Sequence, residues 1–260
     1  MKNNNPIGIF DSGIGGLSIL KSLAIKAVNE NYIYLADNKN CPYGNKSEIE
    51  ISKLSIKNCE KLIELNCKMI IVACNTATTN SINILRKQFD VPIIGIEPGI
   101  KPAINYTKTK NIGVLATNKT LSSKLFNENL LTNNMNKINV HEQIGHDLVE
   151  LIEDGIENEE KLNEYIIKYL NNMIENKIDC LVLGCTHYNF IENNIKHILG
   201  PNIKIIDTVS PVVNHVINKL SELNIQNTSS NFGSTIIYYN GNKPNKKYLN
   251  PNYKIIFDDF

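Results

Sequence analysis

The sequence has no excess of either charge, no long apolar run and no closely spaced pair of cysteines. Lysine and arginine number 27 against 26 aspartates and glutamates, a formal net charge of +1. This balance offers no basic face to a nucleic acid or an anionic membrane surface, so we predict neither partner. No segment approaches the roughly 18 apolar residues of a membrane-spanning helix, and the opening MKNNNP contains no apolar leader. We therefore expect a cytoplasmic protein.

The cysteines do not form a disulfide pattern. There are six, with no C-x-x-C pair among them: Cys41, Cys59, Cys67, Cys74, Cys180 and Cys185. In a reducing cytoplasm we expect free thiols. The chain is instead rich enough in hydrophobic residues, at 42% of 260, to bury the core of one large or two modest α/β domains.

Short apolar or β-branched runs alternate with helical patterns along the chain. The runs predict buried strands at Ile7–Phe10, Tyr32–Ala36, Met69–Ala73, Ile93–Ile96, Ile112–Ala116, Cys180–Leu183 and Lys204–Ile206. Apolar residues spaced for one helical face predict helices over Ser47–Leu65 and Lys161–Ile174. Repetition of strand and helix predicts parallel α/β layers.

An internal repeat predicts two similar halves. The strand Ile7–Phe10 is matched by Ile112–Leu115, and V-A-C-N-T around Cys74 is matched by L-G-C-T-H around Cys185, in the same order and at nearly the same offset. The prolines and glycine of residues 98–102 predict a crossing between the halves, and a second crossing is predicted after residue 207. The predicted fold class is α/β, with two similar parallel-sheet domains facing each other across a central active-site crevice. The predicted domains are residues 1–98 plus 208–260, and residues 99–207.

Cys74 stands where a strand gives way to a helix. A helix N-terminus offers unpaired N–H groups and a partial positive charge, which stabilise a thiolate. That stabilisation matters because only about 3% of an ordinary thiol is ionised at pH 7. The following Asn75 and Thr76 suit an N-cap and are suited to hold a substrate carboxylate. Taken alone, Cys74 would more simply be a small buried apolar residue, as we expect for Cys59 and Cys67.

Cys185, in the equivalent position of the second half, changes this interpretation. Ligands of open α/β sheets bind in the crevice beyond the carboxyl ends of the strands, so facing halves would place one thiol on each side. Racemisation needs this arrangement, because a base removes the α-proton from one face while an acid protonates the other. No lysine stands at either strand end and no motif marks a cofactor site, so we predict no cofactor.

Two polar residues close to the predicted strand ends have two interpretations each. His187 could tune the nearby thiol or donate a proton, but a lone histidine is more often a capping or structural residue. Asp11 could assist Cys74, or it could be the turn aspartate that begins the glycine-rich loop of residues 12–16. The pattern alone leaves both questions open.

Four motifs together resemble the glutamate racemases. They are F-D-S-G-I-G-G-L-S from Phe10, C-P-Y-G from Cys41, V-A-C-N-T-A-T from Val72 and L-G-C-T-H-Y from Leu183, and the resemblance runs from about Ile7 to Asp207. It implies cofactor-free interconversion of L- and D-glutamate, with D-glutamate supplied to bacterial peptidoglycan by a homodimer. We also predict no metal.

The resemblance also implies roles for individual residues. Cys74 and Cys185 would exchange the protons, with Cys74 acting on D-glutamate and Cys185 on L-glutamate. Asp11 would assist Cys74, and Glu153 would work with His187. The implied substrate-binding residues are Asp11, Ser12, Tyr43, Gly44, Asn75, Thr76, Thr186 and His187. The chain departs from the family pattern near its C-terminus, where Asp207-Thr208-Val209 replaces Asp-Ser-Gly and Tyr239-Asn240-Gly241-Asn242 replaces a Thr-Gly-Asp turn.

Other functions fit these motifs less well. Gly13 and Gly15 followed by Asp37 approach a dinucleotide-binding fingerprint and suggest a nicotinamide-dependent dehydrogenase, but Ser18 stands where that fingerprint has its third glycine. A zinc hydrolase could use both strand-end cysteines and the nearby histidine, yet the usual close pairing of ligands is absent. A non-catalytic interaction protein would leave the paired cysteines unexplained. A racemase of aspartate or another acidic amino acid remains an alternative, because pocket geometry sets substrate size.

Overall fold

The computed structural model describes residues 3–133, 138–241 and 246–260. Asn242, in the turn that departs from the family pattern, lies outside these ranges. The described strands are β1 (Ile7–Asp11), β2 (Tyr32–Ala36), β3 (Met69–Val72), β4 (Ile93–Gly95), β5 (Asn111–Ala116), β6 (Asn139–Ile144), β7 (Cys180–Gly184), β8 (Lys204–Ile206), β9 (Thr235–Tyr239) and β10 (Lys254–Phe257). The α-helices are α1 (Leu17–Lys26), α2 (Glu48–Glu64), α3 (Asn75–Gln88), α4 (Ile100–Tyr106), α5 (Asn118–Leu121), α6 (Lys124–Asn133), α7 (Leu148–Glu153), α8 (Glu159–Glu175), α9 (Glu192–Leu199) and α10 (Val209–Glu222).

The strands form two separate parallel sheets with a shared order. The first sheet runs β10-β9-β2-β1-β3-β4 and the second runs β6-β5-β7-β8. The order β2-β1-β3-β4 of the first sheet is thus repeated by β6-β5-β7-β8 in the second. The predicted fold class of two similar parallel-sheet α/β halves is confirmed, and the internal repeat reflects equivalent strands.

All seven predicted strands and both predicted helices are present, with ends that differ by at most two residues. The start of α2 is fixed by a capping box, in which the Ser47 side chain accepts from the Glu50 N–H while the Glu50 carboxylate accepts from the Ser47 N–H. The prediction missed β6, β9 and β10. Every residue of the edge strand β6 is partly or fully exposed, so it lacks the apolar run by which the buried strands were recognised.

The C-terminal part of the chain returns to the first half. Strand β9 pairs with β2 and β10 pairs with β9, while α10 lies against α1. This pairing supports a first domain made of residues 1–98 and 208–260, although those boundaries stay a prediction. None of the described helices is both long enough and apolar enough to cross a membrane.

A buried ion pair joins three distant parts of the first half. Lys68 Nζ lies 2.6 Å from Glu30 Oε2, and both side chains are almost fully buried. Lys68 also donates to the carbonyl of Asn3, and Glu30 Oε1 accepts from the N–H of Asn227 at 2.8 Å. The pair therefore ties the chain start and the segment before β9 to the body of the first half.

Replacing Lys68 with methionine is expected to lower the free energy of unfolding by about 3 to 5 kcal/mol, because the Glu30 carboxylate is then buried without its partner. Chemical denaturation of the variant measures this loss. The double variant Lys68→Met/Glu30→Gln serves as control and should recover much of it, since no buried charge remains. Equal losses in the single and double variants would contradict this explanation.

Candidate active site

The structure places both predicted catalytic cysteines within two residues of the ends of equivalent strands. Cys74 follows β3 and caps α3, and Cys185 follows β7 and precedes a 3-10 turn at Thr186–Ile191. Their side chains are buried, at 5% and 7% relative exposure. The charge of Cys185 affects Cys74, so the two thiols belong to one electrostatic environment. The two halves thus bring the cysteines into one site at the carboxyl ends of their strands.

The surroundings of Cys74 favour a resting thiol. Burial raises its pKa to about 12, and the charges of Asp11 and Cys185 add to that effect. The N–H of Ala77 and the hydroxyl of Ser12 lie 3.5 and 3.8 Å from its sulfur, and both lower the pKa. The helix N-terminus therefore stabilises the thiolate as the sequence indicated, but burial outweighs it.

Asp11, the last residue of β1, is fully buried between the two halves. Its Oδ1 accepts from the N–H of Gly13 at 2.9 Å, and its Oδ2 accepts from the hydroxyl of Thr186 at 2.9 Å. Burial raises the pKa of Asp11, while the charge of His187 and these two donors oppose the rise. Asp11 is therefore both a turn residue and a neighbour of the thiols, so its two interpretations are compatible.

His187 and Glu153 form a hydrogen-bonded pair beside Cys185. His187 Nε2 lies 2.6 Å from Glu153 Oε1, and Nδ1 of the same ring lies 3.9 Å from the Cys185 sulfur. Burial lowers the pKa of His187, but hydrogen bonds with Cys185, Cys41 and Glu153 outweigh it and raise the pKa well above the ordinary value. Burial raises the pKa of Glu153, yet its contacts with His187, Ile14 and Asn38 leave it lowered. The imidazole and the carboxylate thus stabilise each other's charged forms.

This pair should make stability depend on pH in a defined way. The contribution of Glu153 is present above its ordinary pKa of 4.5 and is lost as pH falls through the lowered folded value. The contribution of His187 is full below its ordinary pKa of 6.5 and is lost as pH rises through the raised folded value. The difference in unfolding free energy between wild type and His187→Gln should therefore be largest between these ordinary values. A difference that grows with rising pH above 6.5 would contradict the assignment.

The glycine-rich loop of residues 12–16 packs against the second half. A Cβ atom on Gly13 would lie 1.9 Å from Glu153 Oε1, and one on Gly15 would lie 2.5 Å from His187 Nδ1. The glycines are therefore required by close contact with Glu153 and His187. The space beside them is occupied by a carboxylate and an imidazole, whereas a dinucleotide-binding loop needs that space for a pyrophosphate.

The predicted substrate-binding residues differ in how their polar groups are used. Both polar atoms of the Asn75 side chain are buried without a hydrogen-bond partner, which leaves them available to a ligand. Thr76 instead bonds the hydroxyls of Thr117 and Thr120 at 2.9 and 3.3 Å. The Tyr43 hydroxyl donates to the Asp37 carboxylate, and a Cβ on Gly44 would meet Thr117. Ser12 lies beside Cys74 and Thr186 beside Asp11, as already described.

Sequence analysis missed several residues at this site. Cys41 lies 3.8 Å from Glu153 Oε1, and Asn38 donates to Glu153 Oε2 at 2.7 Å. Thr117 and Thr120 join Thr76 across the crevice. The only available signal was proximity to a motif, since Asn38 and Cys41 lie just before or within C-P-Y-G and Thr117 follows the strand equivalent to β1.

One group of described residues has the side chains of a metal site. The ligand atoms of Cys41, Glu153 and His187 all lie within 4.8 Å of one another. Glu153 Oε1 already accepts hydrogen bonds from the histidine and the Cys41 thiol. We interpret the group as part of the proton-transfer network, and the predicted absence of a metal stays a prediction.

Comparison with known proteins identifies relatives along most of the chain. A sequence model described as Asp/Glu/Hydantoin racemase matches residues 18–216. A glutamate racemase of Ralstonia pickettii is 41% identical over 221 residues, which cover 85% of this chain and 78% of the relative. A glutamate racemase of Clostridium botulinum is 41% identical over 244 residues, covering 93% and 94% of the two chains.

Solved structures show the same architecture. Glutamate racemase from Bacillus anthracis aligns with a TM-score of 0.86 at 26% identity, covering 99% of this chain and 98% of the other. Glutamate racemase from Francisella tularensis, solved with D-glutamate, aligns with a TM-score of 0.85 at 29% identity and covers 98% of both chains.

Proposed function

The chain belongs to the Asp/Glu/Hydantoin racemase family, and on that premise we propose that it interconverts L- and D-glutamate by a two-cysteine mechanism. The observation that carries the proposal is the placement of two buried cysteines after equivalent strands of two facing halves, with the charge of Asp11 acting on the first thiol and the His187–Glu153 pair beside the second. Glutamate is favoured as the substrate because the relatives aligned over most of the chain are glutamate racemases.

In the proposed mechanism the two cysteines act on opposite faces of the α-carbon. The thiolate of Cys185 removes the α-proton of L-glutamate, and the thiol of Cys74 then protonates the carbanion to give D-glutamate; the reverse direction exchanges the roles. Burial makes the thiolate of Cys74 strongly basic by raising the pKa of that thiol, and the negative charge of Asp11 adds to this effect. His187, paired with Glu153, supports Cys185 through its Nδ1. No cofactor or metal takes part in these steps.

The substrate would be held at the same strand ends. Asn75, at the start of α3, contributes a buried amide without a protein partner and adjoins the free N–H groups of a helix N-terminus. Ser12, Tyr43, Gly44, Thr76, Thr186 and His187, with Asp11, complete the proposed binding residues. For Tyr43 and Thr76, whose hydroxyls are occupied by other residues, the proposal requires a backbone contact or a rearrangement on binding.

The proposed physiological role is the supply of D-glutamate for peptidoglycan synthesis by a cytoplasmic homodimer. Support for this role comes from the resemblance to the glutamate racemases and not from the geometry of the single chain. We likewise propose that residues 1–98 with 208–260 and residues 99–207 act as the two domains that face each other across the substrate.

The decisive experiment is incubation of purified, chelator-treated protein with L-glutamate in deuterium oxide. Loss of the circular dichroism signal, with deuterium incorporated at the α-carbon by mass spectrometry, is the expected result. The same reaction with L-aspartate is the control and should proceed far more slowly. No change with glutamate would overturn the proposal, and preference for aspartate would reassign the substrate.

A further inference from the structure

The Glu153 carboxylate is hydrogen-bonded by residues of both halves. Glu153 ends α7 of the second half, and its Oε1 accepts from the N–H of Ile14 at 2.8 Å and lies 2.6 Å from His187 Nε2. Its Oε2 accepts from the side-chain amide of Asn38 at 2.7 Å. Ile14 and Asn38 both belong to the first half. The carboxylate that orients His187 is therefore fixed from across the crevice.

Asn38 lies in a short, firmly held segment. It begins the 3-10 turn Asn38–Asn40, directly after the buried Asp37. Asp37 Oδ1 accepts from the amides of Asn40 and Asn240 at 2.8 and 2.7 Å, and the N–H of Lys39 donates to Asn240 at 3.1 Å. The residues on both sides of Asn38 are thus anchored to the first sheet, which gives its amide a fixed position relative to Glu153.

We propose that Asn38 is a positioning residue for the Cys185 side of the reaction, holding Glu153 Oε2 from the opposite half so that His187 stays aligned with the Cys185 sulfur. This inference rests on the proposed glutamate racemase function. The contacts with His187, Ile14 and Cys41 all go to Oε1, so Asn38 fixes the rotation of the carboxylate about its axis. Without it, the carboxylate can rotate to orientations in which neither oxygen meets His187 Nε2 with good geometry, and the imidazole loses its alignment with the Cys185 sulfur.

Asn38→Ala is expected to lower kcat/KM about 10- to 100-fold, the effect of removing one hydrogen bond to a charged group. KM should change much less than kcat, because Asn38 holds Glu153 and does not hold the substrate. The decrease in kcat/KM must be equal in the two directions, since the enantiomers have equal free energies. Polarimetry or circular dichroism with each enantiomer provides both constants.

Isotope effects reveal which side of the reaction has been slowed. If Asn38 acts through Glu153 and His187 on Cys185, removal of the α-proton from L-glutamate becomes more rate-limiting. The α-deuterium isotope effect on kcat/KM should then increase for L-glutamate and decrease for D-glutamate. A general loss of structure would lower the rate without shifting these two isotope effects in opposite directions.

Two further variants make the test specific. Asn38→Asp places a second carboxylate against Glu153, so its activity should be lower still at pH 8 to 9 and recover partly as pH falls and the pair shares a proton. Lys39→Ala shortens the next side chain of the same turn, which is exposed and pairs with Asp259 and not with Glu153, and it should retain kcat/KM within about 2-fold. Thermal unfolding of each variant establishes that the fold is kept.

These experiments test the positioning role of Asn38 separately from the racemase function. Wild-type racemisation of glutamate establishes the function whatever the variants show. Unchanged kcat/KM in Asn38→Ala, or a decrease in which the two isotope effects keep their wild-type ratio, would overturn the positioning role. A decrease of equal size in Lys39→Ala would also overturn it, because the effect would then belong to the turn as a whole.

Discussion

Replacing Cys74 with serine is expected to lower kcat for racemisation by about 10³-fold in both directions while leaving the fold intact. A hydroxyl is a far weaker acid than a thiol, so serine cannot supply the proton to the carbanion or accept it from the α-carbon at a useful rate. Serine is close in size to cysteine and can still accept from the N–H of Ala77, so the start of α3 should be preserved.

The control for this variant is another buried cysteine. Cys67 has 6% relative exposure against 5% for Cys74, and burial raises the pKa of both thiols to about 12. Cys67 precedes β3, at the opposite end of that strand from Cys74. Cys67→Ser should therefore keep activity within a few-fold. Activity is measured by circular dichroism with L- and D-glutamate in turn. Wild-type rates from Cys74→Ser would rule out the two-thiol mechanism.

The predictable parts of the fold are those that leave a local pattern of apolar residues in the sequence. Buried parallel strands such as β1 and β5 are nearly continuous apolar runs, and their similarity makes the internal repeat visible in the amino-acid sequence alone. Strand β6 was missed because it is an exposed edge, where charged and polar residues replace that pattern. The internal repeat also predicted that Cys74 and Cys185 follow corresponding strands of the two halves.

Contacts across the crevice were beyond sequence analysis. The hydroxyl of Thr186 on Asp11 and the amide of Asn38 on Glu153 join residues more than a hundred positions apart, and no periodicity records such pairs. The sequence likewise does not show which effect dominates the pKa of Cys74. The helix N-terminus at Cys74 was recognised from the sequence, but the degree of burial that outweighs it depends on how the halves close.

The second large loss of activity is expected from adding a single methyl group where the two halves lie close together. Gly13→Ala would place a Cβ 1.9 Å from Glu153 Oε1 and 2.8 Å from its Cδ, so either the carboxylate or the whole loop must move. The backbone of Gly13 is not in the left-handed region, and any loss therefore comes from this collision. We expect kcat/KM to fall about 10²-fold, as for a displacement of about 1 Å in an active site.

A second substitution tests whether the collision itself is the cause. Glu153→Asp withdraws the carboxylate by one methylene, which should lower activity on its own because the contact with His187 lengthens. In the double variant Gly13→Ala/Glu153→Asp the shorter side chain makes room for the methyl group, so kcat/KM should exceed the value expected if the two losses were independent. Ser18→Ala, which removes a bond to the Gly15 carbonyl at the end of the same loop and a long one from the Asn189 amide, should have little effect. Independent losses in the double variant would show that Gly13 matters for a reason other than its contact with the Glu153 carboxylate.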